Sequence, residues 1–290
     1  MKILVIGGNG FLGSAIARCL SVAGHEISVV SRTVPTTKLF PFFSIDLFEE
    51  EEIRELIKVV KPEVVIQSAW ITGKSDYRNS PLNRRYHSAT KSLMLNCAEL
   101  GVTHFIGIGS CAEYGVTNFS CNSGISQLLA TDSYSKEKIE TFSSLMKIAN
   151  FTGLNFTWAR VFQPYGLGQE EKRLLPTLIR CSRNREKLFM EHPNTVSDWI
   201  QKSDVADALK FIVEENLYGP LDIGTGEGTS NLDLARLVEI HSGKKIDLIV
   251  ADSDSEPYGL VMDQFSPLRM LGWRNSKRLE IGLQEMLDEY

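Results

Sequence analysis

Tyr134 and Lys138 form a Y-x-x-x-K pair, and this spacing puts both side chains on one face of a helix. A free tyrosine has a pKa of about 10, and a neighbouring ammonium group favours the phenolate and lowers that pKa. Such a tyrosine can exchange a proton with an alcohol or a ketone while a hydride moves to or from a nicotinamide. Because the spacing also occurs by chance in helices, a surface pair is the alternative interpretation.

Ser110 strengthens the catalytic interpretation. It directly follows His104–Gly109, an apolar segment that predicts a buried strand. Doubly wound sheets bind their ligands at the carboxyl ends of the strands, so we expect Ser110 at that edge. Its hydroxyl could hold the same substrate oxygen as Tyr134. We therefore predict a catalytic set of Ser110, Tyr134 and Lys138.

A glycine-rich loop lies near the start of the chain. Gly8–Gly13 reads G-x-G-x-x-G, directly after one predicted strand and at the start of a predicted helix. Its glycines allow a tight turn, a close approach of the backbone to a pyrophosphate, and close packing of helix on strand. The amide groups of a helix N-terminus favour that anion. We predict a dinucleotide site, rather than a turn without a ligand, that includes Gly7, Gly10, Phe11, Leu12 and Gly13.

The end of the second predicted strand bears on the choice of cofactor. NAD sites usually carry an acidic residue there for the ribose 2′-hydroxyl, whereas this chain has Arg32. An arginine can pair with the 2′-phosphate of NADP, so we predict NADP(H), with NAD(H) as the alternative. The alternative interpretation is that Arg32 is an ordinary exposed surface residue. Asp46 and Leu47 suit the adenine amino group, unless Asp46 is only the acidic start of a helix.

The elements that must position these residues alternate along the chain. Short apolar runs predict strands, and the periodic stretches between them predict helices of about 10–16 residues. This alternation is typical of parallel βαβ units. We therefore predict an α/β fold, a doubly wound parallel sheet of the Rossmann type. The predicted strands are 2–6, 26–31, 42–47, 64–68, 104–109 and 154–161, and the helices are 11–23, 49–60, 84–100 and 134–149.

The alternation loosens after about residue 165, where prolines separate shorter elements. This change predicts a smaller, discontinuous C-terminal lobe that binds the substrate. Two late helices, at 203–215 and 231–241, are expected to pack back on the first lobe. The predicted division assigns 1–165 and roughly 197–225 to the dinucleotide-binding domain, and 166–196 and 226–290 to the substrate lobe.

Composition excludes several classes of protein. The chain has 290 residues and a net charge of −5, so it offers no overall positive field for nucleic acid or an anionic membrane. Its five cysteines contain no C-x-x-C motif and no zinc-ligand spacing, which favours reduced thiols, a cytoplasmic location and no metal site. No apolar run approaches the roughly 18 residues of a membrane span.

Taken together, the motifs resemble those of the extended short-chain dehydrogenases/reductases, in the NAD-dependent epimerase/dehydratase family that acts on nucleotide sugars. The resemblance covers nearly the whole chain. Besides the glycine loop and the Tyr134–Lys138 pair, the matching segments are Ser110–Gly115, Arg160–Gly166, Ser197–Ile200, Asp204–Ala206, Ile223–Gly226 and Leu271–Trp273. The resemblance implies a nucleotide-diphosphate sugar as substrate and a homodimer that pairs the helices at 84–100 and 134–149.

The resemblance also implies further contacts at the site. The residues expected at the cofactor are Ser68, Ala69, Tyr134, Lys138, Val161 and Tyr165, with Lys138 at the nicotinamide ribose. Cys111, Arg173 and Trp199 are expected at the substrate, with Arg173 in the most basic stretch of the chain. That stretch is alternatively a solvated amphipathic helix.

Departures from the family pattern narrow the expected reaction. Family dehydratases carry Asp-Glu after the serine or threonine at the end of the strand, where this chain has Cys111 and Ala112, so we do not expect 4,6-dehydration. We predict NADPH-dependent reduction of a nucleotide-linked 4-keto-6-deoxy sugar at C4. The alternative is a nucleotide-sugar 4-epimerase with tightly bound NAD. A non-catalytic dinucleotide sensor is less favoured, because such proteins typically lose the Tyr-Lys pair.

Overall fold

The computed structural model describes residues 1–34, 39–73, 76–115, 118–251 and 258–289. Within these ranges the strands are β1 (Lys2–Ile6), β2 (Glu26–Val30), β3 (Phe42–Phe43), β4 (Val64–Gln67), β5 (His104–Ser110), β6 (Asn118–Cys121), β7 (Asn155–Val161), β8 (Gln163–Tyr165), β9 (Lys187–Met190), β10 (Thr195–Gln201), β11 (Gly219–Ile223), β12 (Gly228–Ser230), β13 (Asp247–Val250) and β14 (Tyr258–Met262). The α-helices are α1 (Phe11–Val22), α2 (Glu50–Val60), α3 (Leu82–Glu99), α4 (Ser133–Thr152), α5 (Leu174–Asn184), α6 (Lys202–Glu214), α7 (Asn231–Ser242), α8 (Pro267–Met270) and α9 (Leu279–Glu289).

A parallel sheet forms the first part of the fold. Among the described residues its seven strands have the order β11-β7-β5-β4-β1-β2-β3. The chain therefore leaves β1 toward β2 and β3 and later continues on the other side of β1 from β4 outward. This reversal of strand order beside β1 is the place where such sheets bind ligands. The predicted doubly wound sheet of the Rossmann type is confirmed.

Helices cover both faces of this sheet because its strands are apolar on both sides. On one face α1 packs against α6, and a core that includes Ile16, Leu20 and Leu209 joins them to the strands. On the other face α3 packs against α4, and Leu93 and Leu145 are buried there. The apolar stripes of α3 and α4 thus contribute to the core of the chain itself, and the homodimer stays a prediction.

The third predicted strand is shorter than expected. β3 contains only Phe42 and Phe43, although the apolar pattern continues to Leu47. Asp46 is the physical reason for the early end, because its side chain accepts the N–H of Phe48 at 3.1 Å and its carbonyl accepts the N–H of Glu49 at 2.9 Å. An aspartate that bonds the backbone two residues ahead forms a turn in place of a strand.

A second core lies in the C-terminal part. It brings together α5, α7 and α9, with Leu178, Val238 and Leu283 fully buried between them. The expectation that 231–241 packs on the first lobe was therefore wrong, because α7 buries Leu234, Ala235 and Val238 in the second core. Of the two late helices, α6 is the one that packs on α1. Leu268 and Trp273 pack in the first core, and the exact division of the chain into two domains stays a prediction.

Two buried carboxylates connect the parts of the fold. Asp198, on β10, accepts the N–H groups of Thr225 and Gly226 at 2.8 Å each and that of Met262 at 3.1 Å. Asp204, on α6, accepts the N–H groups of Ser276 and Lys277 at 3.1 Å each. Each carboxylate satisfies backbone donors that would otherwise be buried without a partner.

We expect Asp198→Ala to destabilise the protein by at least about 3 kcal/mol, because three buried amide groups lose their acceptor at roughly 1 kcal/mol or more each. Asp288→Ala, at an exposed helical position, should change the free energy of unfolding by about 0.5 kcal/mol or less. Urea unfolding followed by circular dichroism measures both. A loss below about 1 kcal/mol for Asp198→Ala would show that other groups satisfy these amides.

Candidate active site

A cavity of about 810 Å³ opens at the carboxyl ends of β1, β2, β4 and β5. It extends from the glycine loop to α5, β10 and β14, which lie outside the large sheet in the C-terminal part of the chain. The predicted site residues that line it are Gly7, Gly10, Phe11, Leu12, Gly13, Arg32, Asp46, Leu47, Ser68, Ala69, Ser110, Cys111, Tyr134, Lys138, Val161 and Arg173. Its size and its position suit an extended ligand such as a dinucleotide together with a second molecule.

The glycine loop has the close packing that a dinucleotide site requires. Gly7 has φ +80°, and its carbonyl accepts the N–H of Gly10 at 2.9 Å. A Cβ at Gly13 would overlap that carbonyl and stand 2.8 Å from the Ser68 hydroxyl oxygen. The N-cap of α1 is Gly10, which has no side chain to bond the first amide groups of the helix. These amide groups suit a pyrophosphate, so the residues present fit a dinucleotide.

Arg32 and Asp46 lie together in the part of the cavity next to the end of β2. The Arg32 Nη1 and the Asp46 Oδ2 are 3.9 Å apart, and the Arg32 side chain is 64% exposed. An exposed ion pair at this distance contributes little to stability, so the guanidinium is free to take another anionic partner.

The structure brings the three predicted catalytic residues to one wall of the cavity. Lys138 is buried, and its Nζ donates to the carbonyl of Ile108 at 2.7 Å. Burial lowers the pKa of Lys138 to about 7, while the negative charge of Glu113 raises it. A hydrogen-bonding interaction with the Ser110 side chain lowers the pKa of Tyr134.

The pKa of Tyr134 departs from the direction that the Tyr-Lys pair alone predicts. Burial raises this pKa, and the hydrogen bond to Ser110 works in the opposite direction. The physical reason is that a phenolate loses its hydration in this enclosed wall. The Lys138 Nζ lies 5.8 Å from the centre of the Tyr134 ring.

The N-terminus of α4 positions Tyr134. Asp132 caps the helix by accepting the N–H of Ser135 at 2.7 Å, and it forms a 2.6 Å ion pair with Arg78. The carbonyl of Arg78 in turn accepts the N–H of Tyr134 at 2.7 Å. The segment after β4 is thereby tied to the start of the helix that carries Tyr134 and Lys138.

Three residues that line the site lie in the loop 70–79, from which the sequence predicts pocket residues without assigning a role to any one of them. Trp70 covers Lys138, whose Nζ is 3.8 Å from the centre of its rings, and Tyr77 packs edge-on against Tyr134 at 5.3 Å. Arg78 also lines the cavity. The position of Trp70 directly after the Ser68–Ala69 strand end was a usable signal. Tyr77 and Arg78 lie in a segment without a motif.

Arg173 connects the two walls of the cavity. Its Nη2 donates to the carbonyl of Thr72 at 2.8 Å, and its guanidinium lies over the Tyr77 ring, 4.9 Å from its centre. Cys111 lines the cavity as a thiol, because burial raises its pKa. A thiol with a raised pKa is a poor nucleophile, and Cys111 therefore offers packing to a ligand.

The structure does not bring Tyr165 and Trp199 to the cavity. Both are buried in the second core, where their rings pack edge-on with centres 6.5 Å apart. The Tyr165 hydroxyl donates to the carbonyl of Leu279 at 3.4 Å. Gln163 and Ser197, each two residues earlier on the same strands β8 and β10, line the cavity instead.

Within the described ranges, no group of three or more His, Cys, Asp or Glu side chains could hold a metal ion. In the same part of the chain, no helix is both long and apolar enough to cross a membrane.

Comparisons with known proteins agree with this architecture. Residues 3–251 match the model of the NAD dependent epimerase/dehydratase family. A UDP-glucose 4-epimerase from Lactobacillus helveticus is 22% identical over 94% of this chain and 92% of its own length. A GDP-L-fucose synthase from Sinorhizobium fredii is 24% identical over 100% of this chain and 95% of its own. A solved structure of UDP-glucose 4-epimerase from Thermus thermophilus, in complex with NAD, shares the fold with a TM-score of 0.86 at 20% identity, over 99% of this chain and 98% of that one.

We expect Gly13→Ala to weaken the binding of both NADH and NADPH by about tenfold or more, because the new Cβ forces the glycine loop away from α1. The control is Val22→Ala, at an exposed residue at the other end of the same helix. Titration of each cofactor by fluorescence measures the affinities. Wild-type binding of both cofactors by Gly13→Ala would contradict the proposed position of the pyrophosphate.

Proposed function

The chain belongs to the NAD-dependent epimerase/dehydratase family, and on that premise we propose that it reduces a nucleotide-linked 4-keto-6-deoxy sugar at C4 with NADPH. The observation that carries the proposal is Arg32, which lines the cavity at the end of β2, where NAD sites usually have an acidic residue. Cys111 and Ala112 support it, because they replace the acidic pair expected of a dehydratase.

The chain offers a contact to each part of the cofactor. The glycine loop would hold the pyrophosphate, Arg32 the 2′-phosphate, and Asp46 with Leu47 the adenine. Ser68, Ala69 and Val161 also line the cavity and would lie beside the nicotinamide end. When bound, NADPH would supply the hydride that reduces C4.

Tyr134 would supply the proton. Because burial raises its pKa, the phenol keeps its proton until the substrate oxygen becomes negative. The ketone gains a hydride at carbon and a proton at oxygen and becomes a secondary alcohol. Ser110 would hold that oxygen through its hydroxyl, and the Lys138 ammonium would stabilise the phenolate that remains after the proton transfer.

The second wall of the cavity would bind the nucleotide-diphosphate sugar. Arg173 supplies a cation close to the mouth, and a diphosphate would replace its present contact with the Thr72 carbonyl. Ser197 and Leu260 line the same end of the cavity, and Cys111 lies beside the catalytic wall. We place the sugar ring next to Tyr134 and the nucleotide toward β10 and β14.

A nucleotide-sugar 4-epimerase with tightly bound NAD is the second candidate. Its support is the similarity to the Lactobacillus helveticus enzyme and to the Thermus thermophilus structure with NAD. It would use the same Ser110, Tyr134 and Lys138, and would return the hydride to the opposite face of the sugar. The two candidates therefore differ in net redox change and in how the cofactor is held.

The cofactor separates these candidates. We expect chromatography of the denatured protein to find no tightly retained NAD, and fluorescence titration to find NADPH bound at least about tenfold more tightly than NADH. Arg32→Ala should remove this preference and leave NADH binding within about twofold of wild type, because only the 2′-phosphate contact is lost. Tightly retained NAD without a preference for NADPH would contradict the reductase and favour the epimerase.

Tyr134→Phe tests the proton donor. We expect this variant to keep less than a tenth of the wild-type rate and to bind NADPH normally, because only the hydroxyl is removed. The rate is measured as the decrease of NADPH absorbance over time in the presence of each of a panel of 4-keto-6-deoxy nucleotide sugars. Tyr218→Phe, at a half-exposed tyrosine that packs on His104, is the control and should keep the full rate. More than a tenth of the rate in Tyr134→Phe would show that another group gives the proton.

A further inference from the structure

A fully buried carboxylate lies directly behind Ser110. Glu113 Oε1 accepts the backbone N–H of Ser110 at 2.8 Å, and both of its oxygens accept the indole N–H of Trp158 at 3.0 Å. Its Oε2 also accepts the Arg160 Nε at 2.7 Å, and both members of this ion pair are almost completely shielded from solvent. The carboxylate is therefore satisfied by three different residues.

The strand that carries Ser110 is built around this carboxylate. A Cβ at either Gly107 or Gly109 would lie 2.5 Å from the indole of Trp158, and one at Gly109 would also lie 2.8 Å from the Glu113 Oε1. Glycine weakens a strand interior, and such positions mark close approach of another group. In β5 that group is the Trp158–Glu113 pair.

The same carboxylate is electrostatically coupled to Lys138. The indole of Trp158 lies between them, because it donates to Glu113 and its ring centre is 5.6 Å from the Lys138 Nζ. Lys138 also donates to the carbonyl of Ile108, two residues before Ser110 on β5. Burial favours the neutral amine, and the charge of Glu113 opposes it by raising the pKa of Lys138.

We propose that Glu113 is a positioning residue that acts through two members of the site. Its carboxylate fixes the backbone of Ser110, and its buried negative charge keeps Lys138 protonated. The inference rests on the proposed function only in so far as Ser110 and Lys138 take part in the chemistry.

A merely structural ion pair is the competing account. Replacing a buried pair by well-packed neutral groups is often neutral or stabilising, so the Glu113–Arg160 contact alone does not argue for a function. The two accounts differ in one observable, because only a positioning charge changes the protonation of Lys138 when it is removed.

The test must account for every group that titrates nearby. Lys138 lies near the Tyr134 ring on its own helix, and the charge of Glu113 acts on it from behind β5. Glu113 faces Arg160, and beyond it the Tyr114 hydroxyl donates to Asp222 at 2.7 Å. Burial raises the pKa of Asp222 to about 7, so its titration overlaps that of Lys138. A variant of Tyr114 therefore provides the matched control.

We suggest measuring the titration midpoint of Lys138 in the full chain by NMR, with ¹³C-labelled lysine and the signal assigned through Lys138→Arg. Glu113→Gln should lower the midpoint by roughly one pH unit, because the amide keeps an acceptor for Ser110 and Trp158 but removes the negative charge. Tyr114→Phe removes the hydrogen bond to Asp222, leaves Glu113 charged, and should leave the midpoint unchanged.

Each outcome decides the inference. The inference is supported if the Lys138 midpoint is lowered in Glu113→Gln and unchanged in Tyr114→Phe. It is overturned if the midpoint is unchanged in Glu113→Gln, or if both variants shift it equally. If Glu113→Gln does not fold, the Glu113→Gln, Arg160→Met double variant, which carries no unpaired charge, takes its place, and its midpoint is compared with that of the wild type. The measurement needs no substrate, so its result is independent of whether the reductase or the epimerase is correct.

Discussion

All strands of the large sheet run in the same direction, and this constraint determines where the chemistry of the molecule is located. Parallel strands end at one edge, so the segments that follow β1, β2, β4 and β5 meet there although they are distant in sequence. The glycine loop, Arg32 and Ser68 each occupy one of these segments, and Ser110 is the last residue of β5. The cavity follows from the strand order, because the chain turns to opposite sides of β1 and leaves a crevice between the two directions.

Buried charge is the second organising feature. Lys138, Glu113 and Arg160 are each shielded from water, at or behind the cavity wall that Ser110 and Tyr134 form. Desolvation disfavours an isolated charge in a buried position. Each is held by hydrogen bonds or an ion pair: Lys138 by the Ile108 carbonyl, and Glu113 by Arg160 and Trp158. A site arranged in this way needs little reorganisation when charge develops on a substrate oxygen.

The two parts of the molecule contribute different walls of the cavity. The first contributes the glycine loop, Ser110, Tyr134 and Lys138, which a reductase and an epimerase would share. The second supplies Arg173 and the ends of β10 and β14, which face the same cavity from outside the large sheet. Buried Asp198 and Asp204 connect the second part to the first through backbone amide groups. Differences in substrate are therefore expected to arise mainly in the second wall, while the chemistry stays on the first.

Local pattern was enough to predict the sheet, the glycine loop and the set of Ser110, Tyr134 and Lys138, because each depends on short-range spacing and on the rule that parallel strands share an edge. Tertiary structure decided the rest. Tyr165 and Trp199 lie in motif-like segments, yet tertiary packing buries both of them in the second core. The raised pKa of Tyr134, and the roles open to Trp70 and Glu113, come from desolvation and from contacts between residues far apart in the chain. Spacing along a sequence carries no information on which groups lose their water, and only the packed structure determines it.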